Sequence, residues 1–196
     1  MAVLVGVPIK PFGAAKSRLS GLVDHEGRRA LARYLAIHTL ATVRGVGSEP
    51  LVLAGDDEVA QFATDLGHQV LTEPGPGLNW SATQFRDRAA DLSQAWLVVH
   101  ADLPYLTSEA LVRPLRALER GRPVIAPSPD GGTPLLGHVA FEFGFSYGPA
   151  SFGRHLRQVP DARVFSDPRL CCDIDRPRDL EAAQARIDRL STLLGS

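Results

Sequence analysis

Short apolar runs alternate with longer amphipathic stretches along most of the chain. Residues 2–9 are apolar and rich in β-branched side chains, which predicts a buried strand. Asp24 can then cap a helix running towards Val43, with Leu31, Leu35, Ile37 and Leu40 on its inner face and Gly45 and Gly47 at its end. Residues 50–54 predict a second strand. Asp56, Asp57 and Glu58 place acids in the first turn of a helix ending at Gly67, where they complement the helix dipole. Residues 69–72 predict a third strand, Pro74-Gly75-Pro76-Gly77 a turn, and Asn79 the N-cap of a helix to Asp91. Residues 95–100 contain Trp96-Leu97-Val98-Val99 and form the most hydrophobic strand. Residues 108–120 read as a helix that Pro114 should kink or delay.

Beyond Gly121 the pattern loosens. Strands are expected at 123–127, 135–141 and 162–165, a turn at Asp130-Gly131-Gly132-Thr133, a short helix at 151–158 and a final amphipathic helix at 178–193. Strands alternating with helices in this way predict βαβ units, an α/β fold with a mainly parallel sheet covered on both faces. Ligands of such sheets bind at the carboxyl ends of the strands. That rule singles out the loops after Ile9, Thr72, His100 and Pro127.

Composition narrows the function classes. The 196 residues are 44% hydrophobic, 22% charged and 7% aromatic, which suits one globular domain over 1–196. Lys and Arg number 21 against 22 Asp and Glu, so no whole-chain basic field points to nucleic acid. No apolar run reaches the roughly 18–20 residues that span a bilayer, and the N-terminus lacks a signal-peptide pattern. A cytoplasmic domain with no membrane or nucleic-acid partner is expected. Cys171 and Cys172 are adjacent; neighbouring Cα atoms lie about 3.8 Å apart, too close for an ordinary disulfide. Reduced, packed thiols are expected.

Four loops carry candidate chemistry. The segment from Pro8 to Leu19 holds Lys10, Lys16 and Arg18 directly after a buried strand, where Lys offers a compact charge and Arg a bidentate fork for phosphate. It is neither a P-loop nor a dinucleotide fingerprint, and the alternative is a solvated basic loop. Asp102 lies just past the most buried strand and suits magnesium, which takes one or two carboxylates and completes its shell with phosphate and water; the alternative is an aspartate bonding its own turn. Asp173 and Asp175 alternate on an extended segment and supply further carboxylates, unless Asp175 only caps the last helix. Finally, Asp130–Thr133 pairs with Tyr147–His155, where Gly148 permits close approach to an anion and Thr133 and Ser151 offer hydroxyls near a helix N-terminus; two plain turns are the alternative. His25, His38 and His68 read as structural or solvated, and no Ser–His–Asp order is present.

Val7-Pro8-Ile9-Lys10-Pro11, Ala15-Lys16-Ser17-Arg18-Leu19, Gly77-Leu78-Asn79, Ala101-Asp102-Leu103-Pro104, Asp130-Gly131-Gly132-Thr133 and Tyr147-Gly148-Pro149-Ala150-Ser151-Phe152 occur in this order. Together they resemble the 2-phospho-L-lactate / phosphoenolpyruvate guanylyltransferases of coenzyme F420 biosynthesis. The resemblance implies a three-layer Rossmann-like, GT-A-like nucleotidyltransferase fold. It implies transfer of GMP from GTP to a small phosphorylated acid, with release of pyrophosphate. Lys10, Lys16 and Arg18 would hold the triphosphate and Asn79 the nucleoside. Asp102 with Asp175 and Asp173 would bind Mg²⁺, and Thr133, Gly148 and Ser151 the acid. Lys16, Arg18 and Asp102 would be catalytic, the protein a monomer or homodimer, and the product handed to a downstream deazaflavin transferase.

That chemistry suits the residues. The nucleophile is a phosphate oxygen, anionic at neutral pH, so no strong general base is required. The obstacle is repulsion between two anions, which cations relieve. Two departures from the family pattern bear on the acid. Pro134-Leu135-Leu136 follows Thr133 where many relatives have Asn-Ala, and His100 stands where proline is common. Phosphoenolpyruvate is favoured, with 2-phospho-L-lactate and 3-phosphoglycerate open. The rival readings are a molybdenum-cofactor guanylyl- or cytidylyltransferase, whose Gly-rich opening loop is absent here, and a non-catalytic nucleotide sensor.

Overall fold

The computed structural model describes residues 1–71, 77–185, 187 and 194. Its strands are β1 (Val3–Ile9), β2 (Pro50–Ala54), β3 (Gln69–Leu71), β4 (Ala95–Val99), β5 (Val124–Ala126), β6 (Leu135–His138) and β7 (Arg163–Val164). They form one sheet in the order β3-β2-β1-β4-β6-β5-β7. The β1–β2, β1–β4, β2–β3 and β5–β7 pairs are parallel, while β6 runs antiparallel to β4 and β5. The helices are α1 (His25–Gly45), α2 (Asp57–Asp65), α3 (Leu78–Asp91), α4 (Ser108–Glu119), α5 (Ser151–Gln158), α6 (Pro168–Cys171) and α7 (Pro177–Gln184).

The period-two alternation of the strands builds three layers. Val5, Val7 and Ile9 of β1 and Leu97 and Val99 of β4 face one side, under α1, α2 and α4 through residues such as Leu40, Val59 and Leu111. Leu51, Leu53, Trp96 and Val98 face the other, onto Phe85 and Ala89 of α3 and onto Phe143 and Val159. Burying each large side chain is worth about 1.5–3 kcal/mol, so both faces hold the sheet. A third cluster joins Leu31 and Leu35 of α1 to Leu19, Ile174 and Leu180. It ties the loop after β1 and the 172–176 segment to one helix. This is the packing that brings two distant parts of the site together.

The helix starts follow their caps. Asp24 Oδ1 accepts from Gly27 N at 2.7 Å and Asp56 Oδ1 from Val59 N at 2.9 Å. Several expectations need correction. Ile37 is not on the inner face of α1 but 44% exposed; at about 100° per residue it falls outside the arc from Leu31 to Leu40. Asn79 is not an N-cap: Gly77, at φ +84°, takes that position, and the Asn79 amide is engaged elsewhere. α4 runs through Pro114 from a start fixed by the Thr107 hydroxyl, which accepts from Ala110 N at 3.2 Å. The strand expected to reach 141 ends at His138, whose Nδ1 accepts the N–H groups of Val139 and Ala140 and turns the chain out of the ladder. Asp175 is not the cap of the last helix, because Arg176 occupies that position. α6 and the two short 3₁₀ turns, Phe12–Ala14 and Ser17–Leu19, have no sequence period long enough to reveal them. Thr72, the Pro74–Pro76 part of the turn and most of the 178–193 helix beyond Ala185 lie outside the described residues. No helix among the described residues is long and apolar enough to cross a membrane.

Gly6 sets how closely α3 approaches the sheet. A Cβ there would lie 2.8 Å from the Phe85 ring. Gly6→Ala should therefore cost about 1–3 kcal/mol by overpacking, read as a lower urea midpoint at unchanged slope. The same substitution should cost less in a Phe85→Ala background.

Candidate active site

A cavity of about 650 Å³ opens at the carboxyl ends of β1, β2 and β4, where the sheet rule places ligands. Lys10 and Lys16 line it from the loop after β1, Leu53 and Gly55 from the end of β2, and His100 and Asp102 from the loop after β4. Asp175 reaches it from the far end of the chain. Ser81, Asp56 and Asp57 complete the β2 side. Sequence reasoning missed that side: Gly55-Asp56-Asp57 carries only the ordinary signal of a strand ending and a helix starting.

Lys16 is the centre of the cationic half. It sits at φ 55°, ψ 32°, in the left-handed region that side chains other than glycine rarely adopt. Its Nζ donates to Asp102 Oδ2 at 2.9 Å and to Ile174 O at 2.6 Å, with only 8% of the side chain exposed. Burial pushes the Asp102 carboxyl up, but the Lys16 charge and hydrogen bond, with help from His100 and Lys10, hold it at about 2. Arg18 pairs with Asp175 Oδ2 from a largely exposed position. Asp179 Oδ2 accepts from the N–H groups of Asp175 and Arg176, at 3.3 and 2.8 Å, which fixes the segment carrying Asp175.

The donor set fits a hard divalent cation. Asp102 Oδ1 is shut from solvent without a hydrogen-bond partner. Burial, and then the charge of Asp102, push the Asp173 carboxyl up to about 7. The two carboxylates repel each other, and the Lys16 ammonium that bonds Asp102 offsets this only in part for Asp173. Among the described residues no group of three or more His, Cys, Asp and Glu is placed to hold an ion, so substrate oxygens must complete any shell, as magnesium permits.

The other half of the site is neutral and buried. Ser146 N donates to His155 Nε2 at 2.9 Å, so that nitrogen carries no proton. Nδ1 therefore donates to Thr133 Oγ1 at 3.1 Å, and the Thr133 and Ser151 hydroxyls share a hydrogen bond at 2.9 Å. Burial lowers the His155 pKa to about 4, which keeps this relay uncharged. Gly148 at φ 125° and Ala150 at φ 55° turn the chain into α5, and Phe152 N donates to Gly131 O at 3.0 Å, joining the two turns. The structure thus brings Thr133, Gly148 and Ser151 together, although Thr133 and Ser151 are buried and outside the residues that line the cavity. Asn79 is also outside the lining. Its Oδ1 accepts from Tyr147 N at 2.6 Å and its Nδ2 donates to Tyr147 O at 3.4 Å. The relay of His155 was hidden in the sequence because its partners are 9 to 22 residues away. The two cysteines are not joined in a disulfide; Cys171 is buried with its thiol donating to Phe165 O at 3.1 Å, and Cys172 is half-buried.

The sequence model of a family described as "Guanylyl transferase CofC like" matches residues 1–183. A phosphoenolpyruvate guanylyltransferase of Rubrobacter xylanophilus is 34% identical over 195 residues, covering 94% of this chain and 95% of that protein. A 2-phospho-L-lactate guanylyltransferase of Methanocaldococcus infernus is 29% identical over 180 residues, covering 89% and 81%. Among solved structures, a nucleotidyl transferase from a Methanothermobacter species superposes with a TM-score of 0.65 at 15% identity, covering 96% of this chain and 98% of that one. The 2-C-methyl-D-erythritol 4-phosphate cytidylyltransferase of Thermus thermophilus does so at 0.57 and 18%, covering 94% and 98%. These two establish the nucleotidyltransferase fold.

His155 makes a pH prediction. The unfolded chain takes up its proton near pH 6.5 and the folded protein only near 4, so the unfolded state binds more protons in between and stability falls as pH drops through that window. Between pH 7.5 and 5 this one group should contribute a loss of about 2 kcal/mol. Urea melts of His155→Gln should show a correspondingly smaller loss on acidification than the parent protein.

Proposed function

The chain belongs to the CofC-like guanylyl transferases, and from that membership we propose that it transfers GMP from GTP to phosphoenolpyruvate in coenzyme F420 biosynthesis. The observation that carries this reading is the contact between Lys16 and Asp102 at the ends of β1 and β4, inside a cavity large enough for a nucleotide. The choice of acid is supported by relatives named for phosphoenolpyruvate, at 34% and 33% identity, against 29% for a relative named for 2-phospho-L-lactate.

In this reading a phosphate oxygen of the acid attacks the α-phosphorus of GTP. The bond from the α-phosphorus to the bridging oxygen breaks, and its electron pair leaves with pyrophosphate. No proton has to be removed from the nucleophile. Lys10, Lys16 and Arg18 hold the triphosphate and balance the charge of the departing pyrophosphate. Asp102, with Asp175 and Asp173, would supply protein ligands to Mg²⁺, and the ion would screen the two anions from each other. Leu53, Ala54 and Pro8 offer the nucleoside an apolar wall. Asn79 lies beside Leu78 and Ser81 of the lining on the nucleoside side, and its grip on Tyr147 joins that side to the acid side. Thr133, Gly148 and Ser151 serve the acid. The reading carries one nucleotidyltransferase domain over 1–196, acting in the cytoplasm and handing its product to the downstream deazaflavin transferase.

The direct test is pyrophosphate release with GTP and Mg²⁺, with phosphoenolpyruvate, 2-phospho-L-lactate and 3-phosphoglycerate added in parallel. Turnover is expected with phosphoenolpyruvate. Turnover with only another acid would replace it, and acid-independent GTP binding without turnover would favour a sensor. Asp102→Asn should lower kcat at least about 100-fold while leaving the circular-dichroism spectrum unchanged; near-parental rates would remove Asp102 from the reaction.

A further inference from the structure

The segment between β6 and α5, residues 139–150, belongs to no strand. Its backbone groups have no ladder to pair with and are held largely by side chains. From α5, Gln158 accepts from Gly144 N at 3.0 Å and donates to Gly144 O at 2.8 Å. His155 accepts from Ser146 N, and Arg154 donates to Ser146 O at 2.7 Å. These ties stay within one stretch of chain, because α5 follows the segment directly. Two others come from across the site. Arg86 of α3 donates to Phe143 O. Asn79 holds Tyr147 with both atoms of its amide, Oδ1 accepting from Tyr147 N at 2.6 Å and Nδ2 donating to Tyr147 O at 3.4 Å.

The Asn79 tie acts on the residue next to the acid turn. The Tyr147 carbonyl and the Gly148 N–H belong to one planar trans peptide and point opposite ways. Holding the first therefore fixes the direction of the second. Gly148, at φ 125°, opens the turn that Ser151 closes by donating its N–H to Gly148 O at 3.1 Å. At its other end the tie is anchored on α3, which packs on β1 through the fully buried Phe85 beside Gly6. Gly77, Leu78 and Ser81, at the start of that helix, line the cavity, and Asn79 does not. One side chain thus sets the spacing between the helix start beside the nucleotide and the turn beside the acid.

We propose that Asn79 is a positioning residue for the phosphorylated acid, acting through the Tyr147–Gly148 peptide, and not the nucleoside ligand that the family resemblance implies. The inference rests on the guanylyltransferase reading, in which Gly148 and Ser151 serve the acid and the nucleoside lies on the side of Leu78 and Ser81. In-line attack asks for the acid's phosphate oxygen within roughly 3–3.5 Å of the α-phosphorus, and a misplacement of about 1 Å can cost about 100-fold. A nucleoside ligand would offer its amide to the cavity. Both atoms of this amide are instead turned to a backbone 68 residues away. Asn79 sets the peptide, the peptide aims Gly148, and Gly148 meets the acid.

The test separates the two substrates. Asn79 is exposed, so Asn79→Ala leaves no buried cavity behind. At saturating GTP this variant should raise KM of phosphoenolpyruvate about 10-fold. The Kd of GTP with Mg²⁺, measured by calorimetry without acid, should stay at the parent value. Asn79→Asp keeps the oxygen that accepts from Tyr147 N and loses only the longer bond, so it should recover most of the loss in KM of the acid. Weaker GTP binding by Asn79→Ala with an unchanged KM of the acid would make Asn79 a nucleoside ligand and overturn the proposal. Equal losses for both substrates, or no loss for either, would overturn it as well, and so would an Asn79→Asp variant no better than Asn79→Ala. Failure of the parent protein to turn over any acid would instead overturn the guanylyltransferase reading, and this assignment with it.

Discussion

The contact between Lys16 and Asp102 is the constraint on which the site depends. It joins the loop after β1 to the loop after β4, and through Ile174 O it draws in the 172–176 segment. A buried ion pair is a weak source of net stability, because desolvation of both charges offsets most of their attraction. Removing one partner of such a pair is costly, about 3–5 kcal/mol, since the other charge is left buried alone. Lys16 reaches Asp102 from a left-handed backbone conformation, which adds a local cost of about 1–3 kcal/mol. An arrangement that is expensive in two ways and yields little stability is better understood as a site held ready for other charges.

The two halves of the site use opposite electrostatics. On the β1 side, cations and carboxylates meet; the Lys16 charge drives Asp102 down, while burial and then the charge of Asp102 drive Asp173 up. On the α5 side no charge is needed: a neutral imidazole donates to one of two buried hydroxyls that bond each other. The tautomer follows from a single backbone N–H, that of Ser146, which occupies one ring nitrogen and assigns the proton to the other. Tyr147 and His100 stand between these halves.

The sequence pattern carried the layers well and the contacts poorly. Apolar alternation located the strands, and Asp24 and Asp56 located helix starts, because both signals are local. Errors arose where tertiary contacts outweigh local preference. Asn79 has the side chain of a cap, but Tyr147, 68 residues away, takes it. Asp175 resembles a cap beside Pro177, but Arg18, 157 residues away, takes it. Ile37 fits an apolar period, yet among the described residues it stands exposed on the outer face of α1. The cationic and acidic residues of the site could be named in order from their motifs. Their pairing, and the lining contributed by Gly55 and Asp56, come only from the parallel order of β2, β1 and β4.

Charge balance links the ligands of the site to one another. Lys10, Lys16 and Arg18 supply three positive charges, and Asp102, Asp173 and Asp175 supply up to three negative ones. Lys16 and Arg18 pair with Asp102 and Asp175, while burial and then the charge of Asp102 push the Asp173 carboxyl up to about 7, so that it is about half protonated at pH 7. A triphosphate entering the cavity competes for those same two cations. Each one it captures releases a carboxylate in a partly buried place, where an unpaired charge is costly. A divalent cation bound with the triphosphate would offset that cost, because the freed carboxylates and the phosphate oxygens are both its natural ligands. On the guanylyltransferase reading, nucleotide and metal would therefore favour each other's binding.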